Sequence, residues 1–259
     1  GSLLLKTSLP LKKANQYSQS YLKPIIALRY SPTNTKDISG RDIRLDYNNI
    51  FSFNRIGANE FVEGGRSISL GLEYEKHLNY NKIFGFNIAN SISDKNNNNL
   101  PTKSKLNTTR TDFVGNISFT PNKVLNFDYN FSYDKNFDGS NYDSVSTKIN
   151  LNNFFTSFDF ISLDGELGDN EVISNTTRYN FNTENSLTFK TTKNLKNDFT
   201  EYYNLIYSYE TDCITASLDF NKKFYQDGSL VPNKSLLFTI RFIPFVDLKP
   251  ASLNTLINK

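Results

Sequence analysis

"LNFDYNFSYD", Leu125–Asp134, alternates without a fault. Leu125, Phe127, Tyr129, Phe131 and Tyr133 fall on one side of an extended chain, and Asn126, Asp128, Asn130, Ser132 and Asp134 on the other. Successive side chains of a strand point to opposite faces, so the stretch reads as one strand with an aromatic face and an amide–carboxylate face. The fold turns on what the aromatic face meets: the packed core of a soluble sheet, or lipid.

The same period of two recurs from end to end, and no helical period of 3.6 persists. Thirteen strands are expected, at 3–11, 21–31, 65–78, 82–92, 110–119, 123–134, 141–152, 155–164, 171–180, 184–193, 197–209, 212–225 and 233–244. The clearest apolar rows are Ile68/Leu70/Leu72/Tyr74, Phe84/Phe86/Ile88, Ile214/Ala216/Leu218/Phe220 and Leu236/Phe238/Ile240/Phe242. The weakest strand is 171–180. Opposite the apolar rows lie Asn126/Asp128/Asn130, Lys148/Asn150/Asn152 and Asp219/Asn221/Lys223.

The connections decide between the two environments. Those after even strands (32–64, 93–109, 135–140, 165–170, 194–196, 226–232) are mostly long. Those after odd strands (12–20, 79–81, 120–122, 153–154, 181–183, 210–211) are mostly tight turns. In a meander the two sets lie at opposite ends of the sheet. A transmembrane barrel sorts its loops in this way, with short periplasmic turns and long outer loops. Strands of about 9–11 residues suit a bilayer, and a wide barrel tolerates a wet, polar lumen. The expected fold is therefore all-β: an antiparallel transmembrane β-barrel, a meander over 1–246, with 247–259 as a weakly basic, frayed tail. The same alternation would suit the half-buried strands of a soluble β-sandwich or a lipocalin-like cup. A diffusion porin is a further alternative. An odd strand number leaves an open edge, and the reading "GSLLLKTSLPL" starts inside a strand, so the chain is expected to be part of a larger barrel.

Composition narrows the functions. Among 259 residues, 37% are hydrophobic and 21% charged, with a net charge of +3 and interleaved signs. That balance leaves no nucleic-acid footprint. No apolar run approaches the ~18 residues of a membrane-spanning helix. His77 is the only histidine. It falls beside the turn 79–81, away from the rim where a triad hydrolase would need it. No cysteine–histidine cluster offers a metal site, and no cofactor is expected. Cys213 is the only cysteine and on composition alone reads as an inert thiol. "NNNN" at 96–99 and the following "LPTKSKLNTT" read as plain loop.

The segment 41–74, "RDIRLDYNNIFSFNRIGANEFVEGGRSISLGLEY", resembles the LptD (OstA/Imp) family of outer-membrane lipopolysaccharide-assembly proteins. The resemblance rests on Asp46, Asn49, Phe51, Arg55, Gly57, Glu63, Gly64 and Arg66, supported by "YLKPIIALRYSP" (21–32), the hairpin "YNLIYSYETDCITASLDFNKKFYQD" (203–227) and "VPNKSLLFTIRFIPF" (231–245). Asn59 stands where the family often has an aspartate. The resemblance implies the C-terminal part of a very large barrel that is not an enzyme. It also implies insertion of lipopolysaccharide into the outer leaflet of the Gram-negative outer membrane through a lateral seam. The last strand, with Leu236, Phe238, Ile240, Phe242 and Pro244, would be the seam strand. Implied partners are an LptE-like lipoprotein plug, the periplasmic Lpt bridge (through an N-terminal domain outside this chain) and lipopolysaccharide itself. The resemblance also makes Cys213 a candidate for a disulfide to that N-terminal segment.

The charged segment 32–64 carries Lys36, Asp37, Arg41, Asp42, Arg44, Asp46, Arg55, Glu60 and Glu63. It reads either as a solvated outer loop or as a lid folded into the lumen with its charges paired, since buried charges require partners.

Overall fold

In the computed structural model, residues 2–57, 62–79, 81–224, 233–242 and 246–248 are described. All elements among them are strands, and no helix there is long and apolar enough to cross a membrane, which says nothing of strands that cross. The chain divides into two compact units, 1–145 with 161–170, and 146–160 with 171–259.

The first unit holds β1 (Leu3–Ser8), β2 (Leu11–Ala14), β3 (Ser18–Ser31), β4 (Gly65–Leu78), β5 (Asn81–Ser93), β6 (Phe113–Phe119) and β7 (Leu125–Tyr133). β3 to β7 pair antiparallel with their sequence neighbours, and β1 and β2 both pair with β3. β8 (Ser140–Leu151) and β9 (Phe154–Leu163) contribute residues to both units. The second unit continues through β10 (Asn170–Asn180), β11 (Asn185–Asn194), β12 (Phe199–Glu210), β13 (Ile214–Lys223), β14 (Asn233–Phe242) and β15 (Val246–Leu248), again each paired with the next. The antiparallel meander expected from the alternation is what forms.

Strand ends shift by up to three residues from expectation, and three differences have a local reason. The strand expected at 3–11 continues to Ala14 but is cut into β1 and β2. Ser8 faces Ile25 and Leu11 faces Leu22, so register is kept across the cut. Leu9 N–H donates to the Pro24 carbonyl at 3.1 Å; Pro24 has no N–H to return, and neither has Pro10. Pro10 thus sits inside a broken edge strand rather than at its end. β6 starts at Phe113, not at 110. Thr111 and Asp112 leave the ladder, and the Asn90 amide donates to their carbonyls at 2.5 and 3.2 Å. Finally, 246–248 pairs with Ile240–Phe242 of β14 instead of fraying. The weakly patterned 171–180 is a true strand, stitched to its neighbours by Ser174–Thr192 and Thr156–Thr177 hydroxyl contacts of 3.1 and 2.9 Å.

The two faces differ as the alternation requires. In the first unit, Ile26, Leu28, Ile68, Leu70 and Ile92 are exposed, while Ser67, Ser69 and Ser91 behind them are buried. In the second, Leu205, Phe220 and Leu236 form one exposed row across the ladders. On the opposite face the Asn204 amide donates to Asp219 at 2.6 Å. The opening stretch obeys the same division. Phe131 is registered with Gly115, and its ring lies where a Cβ on that glycine would be, 2.3 Å away. Asn130, on the other face, closes an amide row Asn87–Asn116–Asn130 with contacts of 3.3 and 3.2 Å.

The core of the first unit lies on that second, polar-rowed face. Ile25, Ala27, Ala89 and Val114 from the strands pack against Ile38, Leu45, Ile50, Phe51 and Ile56 from 32–64, and against Leu100 and Leu106 from 94–112. Two connections thus cover one end of the sheet as a cap. Each fully buried Ile or Leu in it contributes roughly 1.5–3 kcal/mol of transfer free energy.

Candidate functional site

The cap is anchored by a turn that begins at Asp46. The Asp46 carboxylate accepts from the N–H groups of Asn48 and Asn49 at 2.8 and 3.0 Å, and the Asn49 side-chain oxygen accepts from the Asp46 N–H at 2.9 Å. This reciprocal arrangement is the logic of a capping box. It closes a helical turn in which Ile50 N–H donates to the Asp46 carbonyl at 3.1 Å. Ile50 and Phe51 are thereby delivered to the core, and Phe51 settles on Gly71 of β4. A Cβ on Gly71 would lie 2.4 Å from the ring.

Above Phe51 sits a buried ionic unit. Glu63 receives Arg55 through Nε at 2.9 Å and through Nη2, and Arg29 of β3 through Nη2 at 2.7 Å. Arg29 Nη1 also donates to the Glu63 carbonyl at 2.6 Å, and its Nε to Ser67 Oγ at 3.3 Å. Arg55 Nη1 donates to Ser91 Oγ at 2.6 Å. The three side chains are only 1–5% exposed. Two guanidinium groups on one carboxylate leave one uncompensated positive charge in a dry site. Such a unit is held by its hydrogen bonds more than by net Coulomb gain. Of the described charges of 32–64, Arg55 and Glu63 are buried and paired, whereas Lys36, Asp37, Arg41, Asp42 and Arg44 remain exposed.

Glycines set the backbone around this unit. Gly57 has φ +67°, a left-handed conformation. Gly64 presses against the chain before it: a Cβ there would lie 1.9 Å from the Thr33 carbonyl oxygen. Gly64 N–H also donates to Thr35 Oγ1 at 2.9 Å. Gly64→Ala must therefore push Thr33 away, and a loss of roughly 1–3 kcal/mol is expected from such overpacking. Gly57→Ala, with nothing within 4 Å of its Cβ, is expected to lose less, about 1 kcal/mol from backbone strain. Tryptic cleavage at Arg41 and Arg44 measures both. Equal sensitivity of the two variants would contradict the close-packing account.

The cap is braced on every side. Asn97 and Asn99 donate to the Thr35 hydroxyl and carbonyl, both at 2.8 Å, so the "NNNN" stretch is a clamp and not plain loop. Thr35 itself is buried. Thr102 Oγ1 and Lys103 N–H donate to Glu166 at 2.8 and 2.5 Å, and Lys103 is paired with Asp164. The Arg44 guanidinium lies 3.7 Å above the Tyr142 ring. Tyr47 donates to Glu73 at 2.9 Å, which Lys23 also holds at 2.7 Å. Burial, and then this bond to Glu73, push the Tyr47 phenol well above its ordinary range, so it stays a donor. Asp112, fully buried beneath Asn141, has its carboxyl raised chiefly by desolvation.

The structure gathers Asp46, Asn49, Phe51, Arg55, Glu63 and Gly64 into this cap. Arg66 turns away, to the exposed face, and donates to Asp94 at 3.1 Å. That bond holds the Asp94 carboxyl below its usual range. Asn59 and Glu60 lie outside the described residues. His77 sits near the end of β4, 3.1 Å from Glu75 and edge-on to Tyr21. Cys213 is free and exposed in the turn between β12 and β13. Leu236, Phe238 and Phe242 are exposed on β14, Ile240 is registered with Leu248 of β15, and Pro244 lies outside the described residues. Sequence reasoning missed Arg29, Ser67, Ser91, Gly71, Asn97 and Asn99. For Arg29 a signal existed: in "PIIALRY" it falls on the same side as apolar Ile25 and Ala27, where other strands carry polar rows, which marks that side as covered.

All the motif residues but Arg66 thus belong to the cap, and they lie in a stretch that a known family's model matches. The model of the LptD family, "LPS transport system D", matches residues 5–163, three-fifths of the chain and the whole of the cap. The chain belongs to the LptD family. LptD proteins act in lipopolysaccharide transport, a role that is not enzymatic. The resembling stretches 203–227 and 231–245 lie beyond the matched residues. No curated protein matches the chain. Among solved structures, the crystal structure of the siderophore receptor PirA from Acinetobacter baumannii aligns at 9% identity and a TM-score of 0.37, over 92% of this chain and 47% of that one. The chain therefore spans about half the length of that receptor.

Proposed function

We propose that the strands form part of the wall of an outer-membrane β-barrel that delivers lipopolysaccharide to the outer leaflet, and that the cap is the plug over the outer end of its lumen. The observation that carries this reading is the Arg29–Glu63–Arg55 unit. It joins the motif residues Arg55 and Glu63 to Arg29 of β3, on the polar-rowed face of a sheet whose other face is apolar and exposed. An apolar exposed face suits lipid, and polar rows suit a wet lumen. The apolar, tightly bound cap suits a closure that keeps solutes out while lipid leaves sideways, through a seam at β14. An LptE-like lipoprotein and the periplasmic Lpt bridge complete the proposed assembly.

Depletion of the full-length protein tests this directly. Antibody-accessible lipopolysaccharide on intact cells is expected to fall. Unchanged lipopolysaccharide with slower uptake of small hydrophilic solutes would instead make the chain a diffusion porin.

Topology has its own test. Asn98 is exposed on the cap. A cysteine at Asn98 is expected to react with an impermeant maleimide on intact cells, and one at Asn153, in the β8–β9 turn, is not. The reverse pattern would invert the orientation. Cys213, in a turn of the same parity as Asn153, would face the oxidising periplasm. There we propose it bridges to a cysteine of the N-terminal domain. Non-reducing electrophoresis of the full-length protein should then show a mobility change on reduction; identical migration would leave it a free thiol.

A further inference from the structure

Two hollows meet at the cap end of β3, β4 and β5. One is a groove of about 470 Å³ on the exposed face, floored by Leu3, Leu5, Leu28, Ile68 and Ile92. The other is a polar cleft of about 610 Å³ that runs beneath the cap past Thr33, Thr35 and Asn96 to Asn99. Tyr30, Arg66, Ser93 and Asp94 line both, so the apolar floor and the amide-lined cleft are neighbours across these four residues. The junction carries a cation with donors to spare: the Arg66 side chain is 71% exposed and spends its Nε on Asp94.

We propose that groove and cleft together seat one molecule of outer-leaflet glycolipid, an acyl chain on the leucine–isoleucine floor and the sugar–phosphate head in the cleft. The proposal rests on the reading above, that this sheet spans the outer membrane with the cap outermost. The chemistry favours one amphiphile over two separate ligands. Hydroxyl and amide groups match sugar hydroxyls, each able to donate and accept. The Arg66 fork matches a phosphate. Tyr30, with an apolar ring and a polar tip, sits at the junction, where such a side chain suits a membrane boundary. A phospholipid would cover the apolar floor but has no sugar to fill a cleft of about 610 Å³. The site would hold the acyl chain against the wall on the lipid side, with the head group at the cap end of β3 to β5.

The test places a photo-crosslinking amino acid in the full-length protein in living cells, at Leu28, Tyr30, Leu218, Phe238 or Asn130. Adducts are identified by mass spectrometry and by blotting for lipopolysaccharide. Expected is lipopolysaccharide at Leu28 and Tyr30 severalfold above Leu218 and Phe238, which are equally exposed on β13 and β14. Ser93→Trp, which fills the junction, is expected to remove the Leu28 adduct while the Asn130 adduct persists. Equal lipopolysaccharide adducts at all four wall positions, or phospholipid alone at Leu28 and Tyr30, would overturn the site. If Asn130 still captured lipopolysaccharide, the export reading would stand without it. No lipopolysaccharide at any position, Asn130 included, would overturn both.

Discussion

Glu63→Gln should open the cap without dissolving the sheet. The substitution removes the only carboxylate between Arg29 and Arg55, leaving two guanidinium groups buried side by side. Breaking a buried ion pair by removing one partner costs about 3–5 kcal/mol. Arg55→Gln should cost less, because Arg29 and Glu63 remain a neutral pair at 2.7 Å. The double variant should lose less than the sum of the two, since the groups share one network. Entry of a large glycopeptide antibiotic through the outer membrane reads the seal, and heat-modifiable mobility reads the sheet. The account fails if Arg55→Gln leaks as much as Glu63→Gln, or if the double variant is additive.

Phe131→Arg should block assembly where Asn130→Arg does not. Phe131 lies on the apolar face, its ring over Gly115; Asn130 lies in the amide row of the other face. If that apolar face meets lipid, an arginine there costs roughly 2–4 kcal/mol near the bilayer midplane, whereas a charge in the lumen stays hydrated. The yield of folded, heat-modifiable protein should fall sharply for the first variant alone. Equal losses would mean that the aromatic row is packed against protein, as in a sandwich.

What the sequence carried and what it hid have physical causes. The strands were legible because a period of two is imposed by the pleat itself. The ladders pair along the expected rows, as Phe220 with Leu236 shows. The break at Pro10 was visible as a proline; that its neighbour Leu9 faces Pro24 needed the register. The cap was not legible as packing. Its contacts join residues far apart in sequence, Thr35 to Asn97 and Arg29 to Glu63, and irregular backbone leaves no period to read. Its motif residues were flagged only by family resemblance, which names positions but not their partners. Small residues opposite apolar ones, Ser67, Ser69 and Gly71 behind Ile68, Leu70 and Leu72, were the trace of the space it fills.

The cap also sets a chronology. Its buried apolar members all fall between Ile25 and Val114, and the strands that hold them are consecutive hairpins. The contacts are non-local, as from Asn99 to Thr35, but the loops they close lie within this one stretch and need no later strand. The stopper can therefore seat as soon as β3 to β6 have paired, while β10 to β15 are still unassembled. On the proposed reading, this stretch of wall would then carry its closure before β10 to β15 join it.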